Sequence, residues 1–148
     1  MAPKTRKIIL TAVVAIITIM AAVVYILWNK PHRNVKAADA LPVTAVELYN
    51  SFIKDSANAN TLYADKVVMV SGEVSQVSQN QQAQQVILIK TAVNGAYINC
   101  TMEGRSAESK PGDKISVKGI CSGYISGDAD MGLPGDVFLI RGYLSDHK

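Results

Sequence analysis

The chain has 148 residues, and its first 36 differ in composition from the remainder so strongly that the two parts do not form one domain. The overall charge of +3 comes from the N-terminal part, because residues 37–148 carry nine basic and twelve acidic side chains, a net charge of −3. Proteins that bind nucleic acid by neutralising its phosphates have a clear excess of Lys and Arg. Residues 37–148 lack this excess, so their composition argues against this class of protein.

A basic tail, residues 1–7, precedes an apolar segment, residues 8–28, in which 21 consecutive positions carry no charge. At about 1.5 Å per residue, this segment spans the ~30 Å hydrocarbon core of a bilayer. Tyr25 and Trp28 fall at its end, where amphipathic rings favour the headgroup layer. We therefore predict a single transmembrane helix over 8–28, with the lipid bilayer as its partner.

Two alternatives compete with an uncleaved anchor, namely a buried core helix and a cleaved signal peptide. The apolar segment exceeds the roughly 7–15 residues of the apolar h-region of a typical signal peptide. The nearest small-residue cleavage motif, Ala38-Asp39-Ala40, begins ten positions after Trp28. We expect the N-terminus to be retained.

The orientation of the helix in the membrane is predicted from the short N-terminal tail, which carries Lys4, Arg6 and Lys7. Short basic tails favour the cytoplasmic side of the membrane. The charges flanking the other end of the segment are almost as numerous, so the preference is small. We predict a single-pass protein of the cell (inner) membrane, with its C-terminal domain on the extracytoplasmic side.

Residues 29–41 lack an apolar period and are predicted to be a juxtamembrane linker, after which residues 42–148 form the folded domain. Thr44 and Glu47 make a capping-box pattern at the start of an amphipathic helix that ends near Asp55. The apolar positions of this helix recur at Ala45, Leu48, Tyr49, Phe52 and Ile53. A second helical turn is expected within 56–63.

After Lys66 the apolar period changes to two, which indicates strands. Five strands are predicted at 66–78, 84–91, 95–103, 113–124 and 136–145. Gly72 lies inside the first, where glycine commonly marks a bend or bulge. The fold class is therefore mainly β, a five-stranded OB-fold barrel preceded by an amphipathic helix, plus one N-terminal transmembrane helix.

Residues 43–145 resemble the bacterial tRNA_anti-like family of OB-fold domains. The matching stretches are 46–48, 59–60, 63–66, 68–74, 98–102, 110–123 and 136–140, which read VEL, AN, YADK, VMVSGEV, INCTM, KPGDKISVKGICSG and DVFLI. The resemblance implies a barrel preceded by a helix, on an exported or membrane-attached protein. It brings no established activity or catalytic residue.

Strand parity predicts an outward face that could stack bases or sugars. Its candidate ligand-binding residues are Tyr97, Tyr124, Tyr143, Lys118 and Arg141, with Lys90 beside them. The competing interpretation is that these tyrosines serve cross-strand packing, as is common on half-exposed strands.

Cys100 and Cys121 both face inward by parity. They are either two buried hydrophobic side chains or one disulfide, which an oxidising compartment would favour. A bridge requires their Cα atoms to lie within about 7 Å of each other.

The sequence shows no nucleophile motif and no phosphate-binding glycine loop. His32 lies in the linker and His147 near the terminus, so they cannot share a metal site. The loop at 128–136 carries three aspartates but lacks the glutamate that closes an EF-hand. We predict no catalytic site, no metal and no cofactor.

These features favour a membrane-anchored OB-fold binding module of the bacterial envelope, and not an enzyme. The expected ligand is an envelope protein, a peptide or a saccharide. The alternative is a single-stranded nucleic-acid-binding OB-fold protein, although nucleic acid is not the expected partner because the domain is acidic.

Overall fold

The computed structural model describes residues 3–29, 34–103 and 108–145. The chain forms two compact units, Met1–Arg33 and Asn34–Lys148. The first contains helix α1, Pro3–Trp28. The second contains one short strand, two helices and five longer strands, in that order along the chain.

Helix α1 is long and apolar enough over Lys7–Trp28 to cross a membrane. Within Lys7–Trp28, the two threonine side chains form hydrogen bonds to the backbone of the helix. Thr11 Oγ1 donates to the Ile8 carbonyl oxygen at 2.9 Å, and Thr18 Oγ1 donates to the Val14 carbonyl oxygen at 2.6 Å. These bonds let an apolar environment surround the helix without leaving either threonine hydroxyl unpaired.

The elements of the second unit are β1 Leu41–Thr44, α2 Ala45–Lys54, α3 Ser56–Tyr63, β2 Val67–Gln79, β3 Gln85–Lys90, β4 Tyr97–Met102, β5 Lys114–Ile125 and β6 Asp136–Leu144. Each of the five predicted strands begins and ends within two residues of β2 to β6. Both predicted helical segments are also confirmed.

Strands β2 to β6 form a closed barrel in the order β2-β3-β4-β6-β5, and β5 pairs back onto β2. All pairs are antiparallel except β4 with β6, which are parallel. The predicted OB-fold barrel is thereby confirmed. The structure adds β1, which pairs parallel to β2. Sequence patterning missed β1 because four residues that include Pro42 are too few to show a period.

Strand β2 closes the barrel by changing partners along its length. Its first part, Val67 to Glu73, pairs with β5, and its second part, from Val74 onward, pairs with β3. A bulge lies between Val74 and Gln76. Gly72 stands at this change of partner, as predicted for a bend, and a Cβ there would overlap Cγ2 of Ile89.

Helix α2 covers one end of the barrel. Thr44 Oγ1 accepts from the Glu47 N–H at 3.2 Å, and the Glu47 carboxylate accepts from the Thr44 N–H at 3.1 Å, which completes the capping box. The hydrogen bonds from Thr44 lower the pKa of Glu47. The buried face consists of Ala45, Leu48, Tyr49 and Phe52. Ile53, predicted for the same face, is 54% exposed.

The change of partner in β2 predicts the effect of Gly72→Ala. The added methyl group must displace Ile89 and would lie 3.1 Å from the Ala45 Cβ atom, so we expect a loss of about 1–3 kcal/mol in unfolding free energy. Urea denaturation measures this loss. Ile89→Leu removes the branch at Cβ, so the double variant should lose less than the two single variants combined. Additive losses would show that crowding against Ile89 is not the cause.

Candidate ligand-binding face

The structure does not bring the five predicted ligand-binding residues onto one surface. Tyr97 begins β4 and pairs with Lys90 of β3. Arg141, Tyr143 and Lys118 lie on β6 and β5, in a second cluster. Glu103, the partner of this second cluster, follows the last residue of β4 and lies six positions after Tyr97, a distance of about 20 Å along an extended strand.

Tyr124 does not lie on the outer face, which corrects the parity prediction. Its ring centroid lies 6.1 Å from that of Tyr49 and 6.3 Å from that of Phe52, so it packs beneath helix α2. The cause is a register shift between Cys121 and Gly123, where Gly123 has a φ of 111°. The bulge interrupts the alternation of β5 and turns Tyr124 toward the core.

The second cluster is occupied by partners from the same chain. Tyr143 Oη donates to Glu103 Oε2 at 2.7 Å, which raises the pKa of Tyr143, and Arg141 Nε lies 3.5 Å from the same oxygen. Lys36 Nζ lies 4.8 Å from the Tyr143 ring centroid, and Lys118 Nζ donates to the Lys36 carbonyl oxygen at 3.0 Å. The Tyr143 ring is therefore covered on one side.

The contacts of Lys36 also bear on the predicted linker, residues 29–41. Residues 30–33 lie outside the described part of the chain, whereas Val35 is buried and Lys36 contacts Lys118 and Tyr143. The end of this segment is thus attached to the barrel.

The outer surface of β3 and β4 is the face on which OB-folds bind ligands. Val86, Leu88 and Lys90 alternate with buried residues along β3, as do Tyr97, Asn99 and Thr101 along β4. The register joins them as the pairs Val86–Thr101, Leu88–Asn99 and Lys90–Tyr97. We call this surface, with Phe138, the β3–β4 face.

Phe138 extends the face onto β6, and sequence analysis missed it. It pairs with Asn99 and is half-buried between the fully buried Val137 and Leu139. Residues 137–140 are all apolar, so this stretch shows no period by itself. Alternation counted from Asp136 would have placed Phe138 outward.

Two carboxylates contact the β3–β4 face, one at Lys90 and one at Tyr97. Lys90 donates a hydrogen bond to Glu73 within an ion pair, and this hydrogen bond lowers the pKa of Glu73. Asp136 Oδ1 accepts from the Tyr97 N–H at 2.8 Å, and partial burial raises the pKa of Asp136. These contacts hold the backbone of Tyr97 and leave the face without a free cation among the described residues of β3 and β4.

A small polar cavity of about 130 Å³ opens beside the Tyr97 ring. Its lining includes Ser75, Lys90, Thr91, Asn94 and Tyr97. The loop between β3 and β4 is held in place because Thr91 Oγ1 donates to the Ala96 carbonyl oxygen at 2.9 Å. The cavity gives the face hydroxyl and amide groups next to an aromatic ring.

The sequence profile of the tRNA_anti-like family matches residues 1–131. The chain belongs to the tRNA_anti-like family. No curated protein sequence matches it significantly.

Solved structures of similar fold include a candidate nucleic acid-binding lipoprotein from Klebsiella pneumoniae, with a TM-score of 0.50 and 14% identity over 79% of this chain and 100% of that one. An OBody, AM3L09, bound to hen egg-white lysozyme is 14% identical over 59% of this chain and 88% of its own, with a TM-score of 0.38. A candidate aspartyl-tRNA synthetase from Leishmania major Friedlin is 6% identical over 81% of this chain, with a TM-score of 0.43, and the match spans 22% of the synthetase. At 14% identity, the likeness to the Klebsiella pneumoniae structure shows the fold alone.

The acidic loop of this tRNA_anti-like domain uses its carboxylates locally. Asp128 Oδ1 accepts from the N–H groups of Asp130 and Met131 at 3.0 and 3.2 Å, and Asp136 faces Tyr97. Within the described ranges, no three His, Cys, Asp or Glu side chains are grouped to hold a metal. The two histidines, His32 and His147, lie outside those ranges.

Cys100 and Cys121 are free, buried thiols. Both pair with Leu139, one from each side, so β6 separates their strands. Two strand spacings place their Cα atoms about 9–10 Å apart, beyond the roughly 7 Å that a disulfide allows. This geometry opposes the disulfide alternative. Burial raises the pKa of both thiols, which disfavours the reactive thiolate.

Alkylation can test the state of these thiols. Because burial blocks access and raises both pKa values, we expect the folded protein, with no reductant added, to resist iodoacetamide near neutral pH. The unfolded protein should gain two adducts under the same conditions, as measured by intact mass spectrometry. Adducts that form only after reduction would demonstrate a disulfide.

Proposed function

We propose that this protein is a membrane-anchored binding module whose barrel binds a ligand of the bacterial envelope, a protein, peptide or saccharide, on the β3–β4 face. The observation that carries the proposal is a half-buried surface with Tyr97, Leu88 and Phe138 on three adjacent strands of a closed barrel. A rigid sheet presents these side chains without a large ordering cost on binding.

Binding without catalysis is consistent with the chemistry of the described residues. Cys100 and Cys121 would be the strongest nucleophiles, yet both are buried with raised pKa values. The carboxylates of Asp136 and Glu73 contact residues of the face, and each is engaged there by Tyr97 or Lys90. The polar groups of the face are thus suited to recognition.

The anchor in this proposal is helix α1, with the basic tail at 1–7, the membrane span at 8–28, the linker at 29–41 and the OB-fold domain at 42–148. The length and composition of Lys7–Trp28 support a span. The basic tail favours a cytoplasmic N-terminus, which places the barrel on the extracytoplasmic side of the cell membrane. A lipoprotein among the proteins of similar fold agrees with an envelope location.

A second candidate function is single-stranded nucleic-acid binding. It is favoured by the description of the Klebsiella pneumoniae protein as a candidate nucleic acid-binding lipoprotein. It is opposed by the net charge of −3 over residues 37–148, because phosphate neutralisation supplies most of the affinity in sequence-independent binding.

We predict that the mature protein keeps its N-terminus. Cleavage near Ala38-Asp39-Ala40 would remove Val35, which is buried, and Lys36, which contacts the barrel. Intact mass spectrometry of membrane-extracted protein measures the outcome. A species that begins between Asp39 and Leu41 would eliminate the anchor.

The binding face can be tested in the native membrane without knowledge of the ligand. A photoreactive benzoylphenylalanine at position 88 replaces a half-buried leucine at the centre of the β3–β4 face. The control carries the same group at position 122, an exposed serine of β5. We expect a defined crosslinked adduct from position 88 and none from position 122. Equal crosslinking at both positions, or none at position 88, would contradict the proposed face.

A further inference from the structure

We propose that the ligand of the β3–β4 face is an uncharged oligosaccharide. This inference rests on the proposed function, because it names the ligand class of the same site. Three properties of the face carry it: its aromatic rings, the amide and hydroxyl groups around them, and its lack of an open strand edge.

Tyr97 and Phe138 supply two aromatic surfaces on one sheet. Each is half-buried, and each alternates with fully buried neighbours. An aromatic ring has a negative face, so it attracts the weakly positive C–H groups that a sugar ring presents on its flat side. The Tyr97 N–H donates a hydrogen bond to Asp136, so the backbone that carries the first of these rings is held before the ligand arrives.

Uncharged groups that both donate and accept hydrogen bonds surround the rings. Asn99 and Thr101 lie on β4, and Gln76 of β2 pairs with Leu88 of β3. Ser75 and Asn94 line the cavity beside Tyr97. Amides and hydroxyls match sugar hydroxyl groups, each of which also donates and accepts. A polyanion would instead require cations in these positions.

The turn between β2 and β3 continues this amide border. Asn80 Oδ1 accepts from the Gln82 and Gln84 N–H groups at 3.0 and 2.9 Å, and Asn80 Nδ2 donates to Gln84 Oε1 at 3.0 Å. Asn80 thereby shapes the turn with its own side chain. Gln79, Gln81 and Gln82 remain exposed at the end of the face.

The charges on the β3–β4 face favour a neutral ligand over nucleic acid. Lys90 is the only cation on β3 and β4, and Glu73 is its ion-pair partner. The carboxylate of Asp136 lies beside Tyr97. A phosphate chain or an acidic glycan on this face would meet two carboxylates and one neutralised lysine, which is unfavourable.

The topology of the sheet favours a saccharide over an extended peptide as the ligand. Peptides commonly bind a sheet by adding a strand to an open edge. Here β3 is paired with β2 and β4, and β4 is paired with β3 and β6, so neither strand offers an edge. A ligand must bind over the side chains, where recognition depends on stacking and on side-chain hydrogen bonds.

The test uses the full-length protein in phosphatidylcholine nanodiscs, which avoid sugar-based detergents. The probes are uncharged hexamers of glucose, mannose, galactose and N-acetylglucosamine, beside an uncharged peptide and a thymidine oligonucleotide. We expect at least one hexasaccharide to bind, as measured by saturation-transfer NMR and calorimetry, with an affinity that high salt leaves unchanged.

Variants then locate the bound sugar. Tyr97→Ala should weaken binding about tenfold, as loss of a stacked ring does, whereas Tyr97→Phe keeps the ring and should bind nearly as well. The matched control is Tyr143→Ala, because that tyrosine lies in the second cluster under Lys36. Its affinity should equal that of the unmodified protein. Thermal unfolding confirms that each variant is folded.

The outcomes distinguish this inference from the proposed function. If no hexasaccharide binds, or if Tyr143→Ala weakens binding as much as Tyr97→Ala, the saccharide proposal is wrong. Binding of the peptide or the oligonucleotide that Tyr97→Ala abolishes would also overturn it, while the proposed binding face would stand. If no probe binds and position 88 gives no crosslink, both proposals fail.

Discussion

The barrel depends on one strand that serves two partners. Strand β2 pairs with β5 up to Glu73 and with β3 from Val74 onward, so its bend closes the sheet on itself. Gly72 permits the bend because the space that a side chain would need is filled by Ile89 and Ala45. The start of helix α2, the end of β3 and the bend of β2 therefore meet at one point. Because β3 and β4 are each paired on both sides, the outward side chains of these two strands are the means of recognition.

Helix α2 determines which aromatic residues remain available. Tyr49 and Phe52 enter the end of the barrel, and the bulge at Gly123 lets Tyr124 join them. Desolvation beneath the helix raises the pKa of Tyr49. These rings stabilise the junction between helix and barrel by burying apolar surface, so they are not available for a ligand. Tyr97 and Phe138 lie outside this cluster.

Sequence patterning located the barrel well because its strands alternate buried and exposed residues. In β4, for example, Ile98, Cys100 and Met102 are all buried, as their period of two indicates. Strand parity placed Tyr124 on the wrong face because a bulge shifts the alternation by one residue. No single residue type in a sequence identifies a bulge. Phe138 was hidden in an apolar run. The contacts of Lys36 with Tyr143 were beyond prediction because they join residues more than a hundred positions apart.

The contacts and positions of the cationic side chains on the barrel strengthen the case for an uncharged ligand. Lys66, Lys90, Lys118 and Arg141 each contact an oxygen of the chain itself, and Lys114 pairs across the strands with Glu73. An exposed ion pair is worth at most about 1 kcal/mol, so occupancy alone would not prevent these groups from binding phosphate. The stronger constraint is their placement. Lys118 and Arg141 lie in the second cluster with Tyr143, away from Tyr97, whereas β3 and β4 contribute Lys90 only. Among the residues that the structure describes, stacking surface and positive charge are thus on different parts of the barrel, and single-strand binding requires both in one groove.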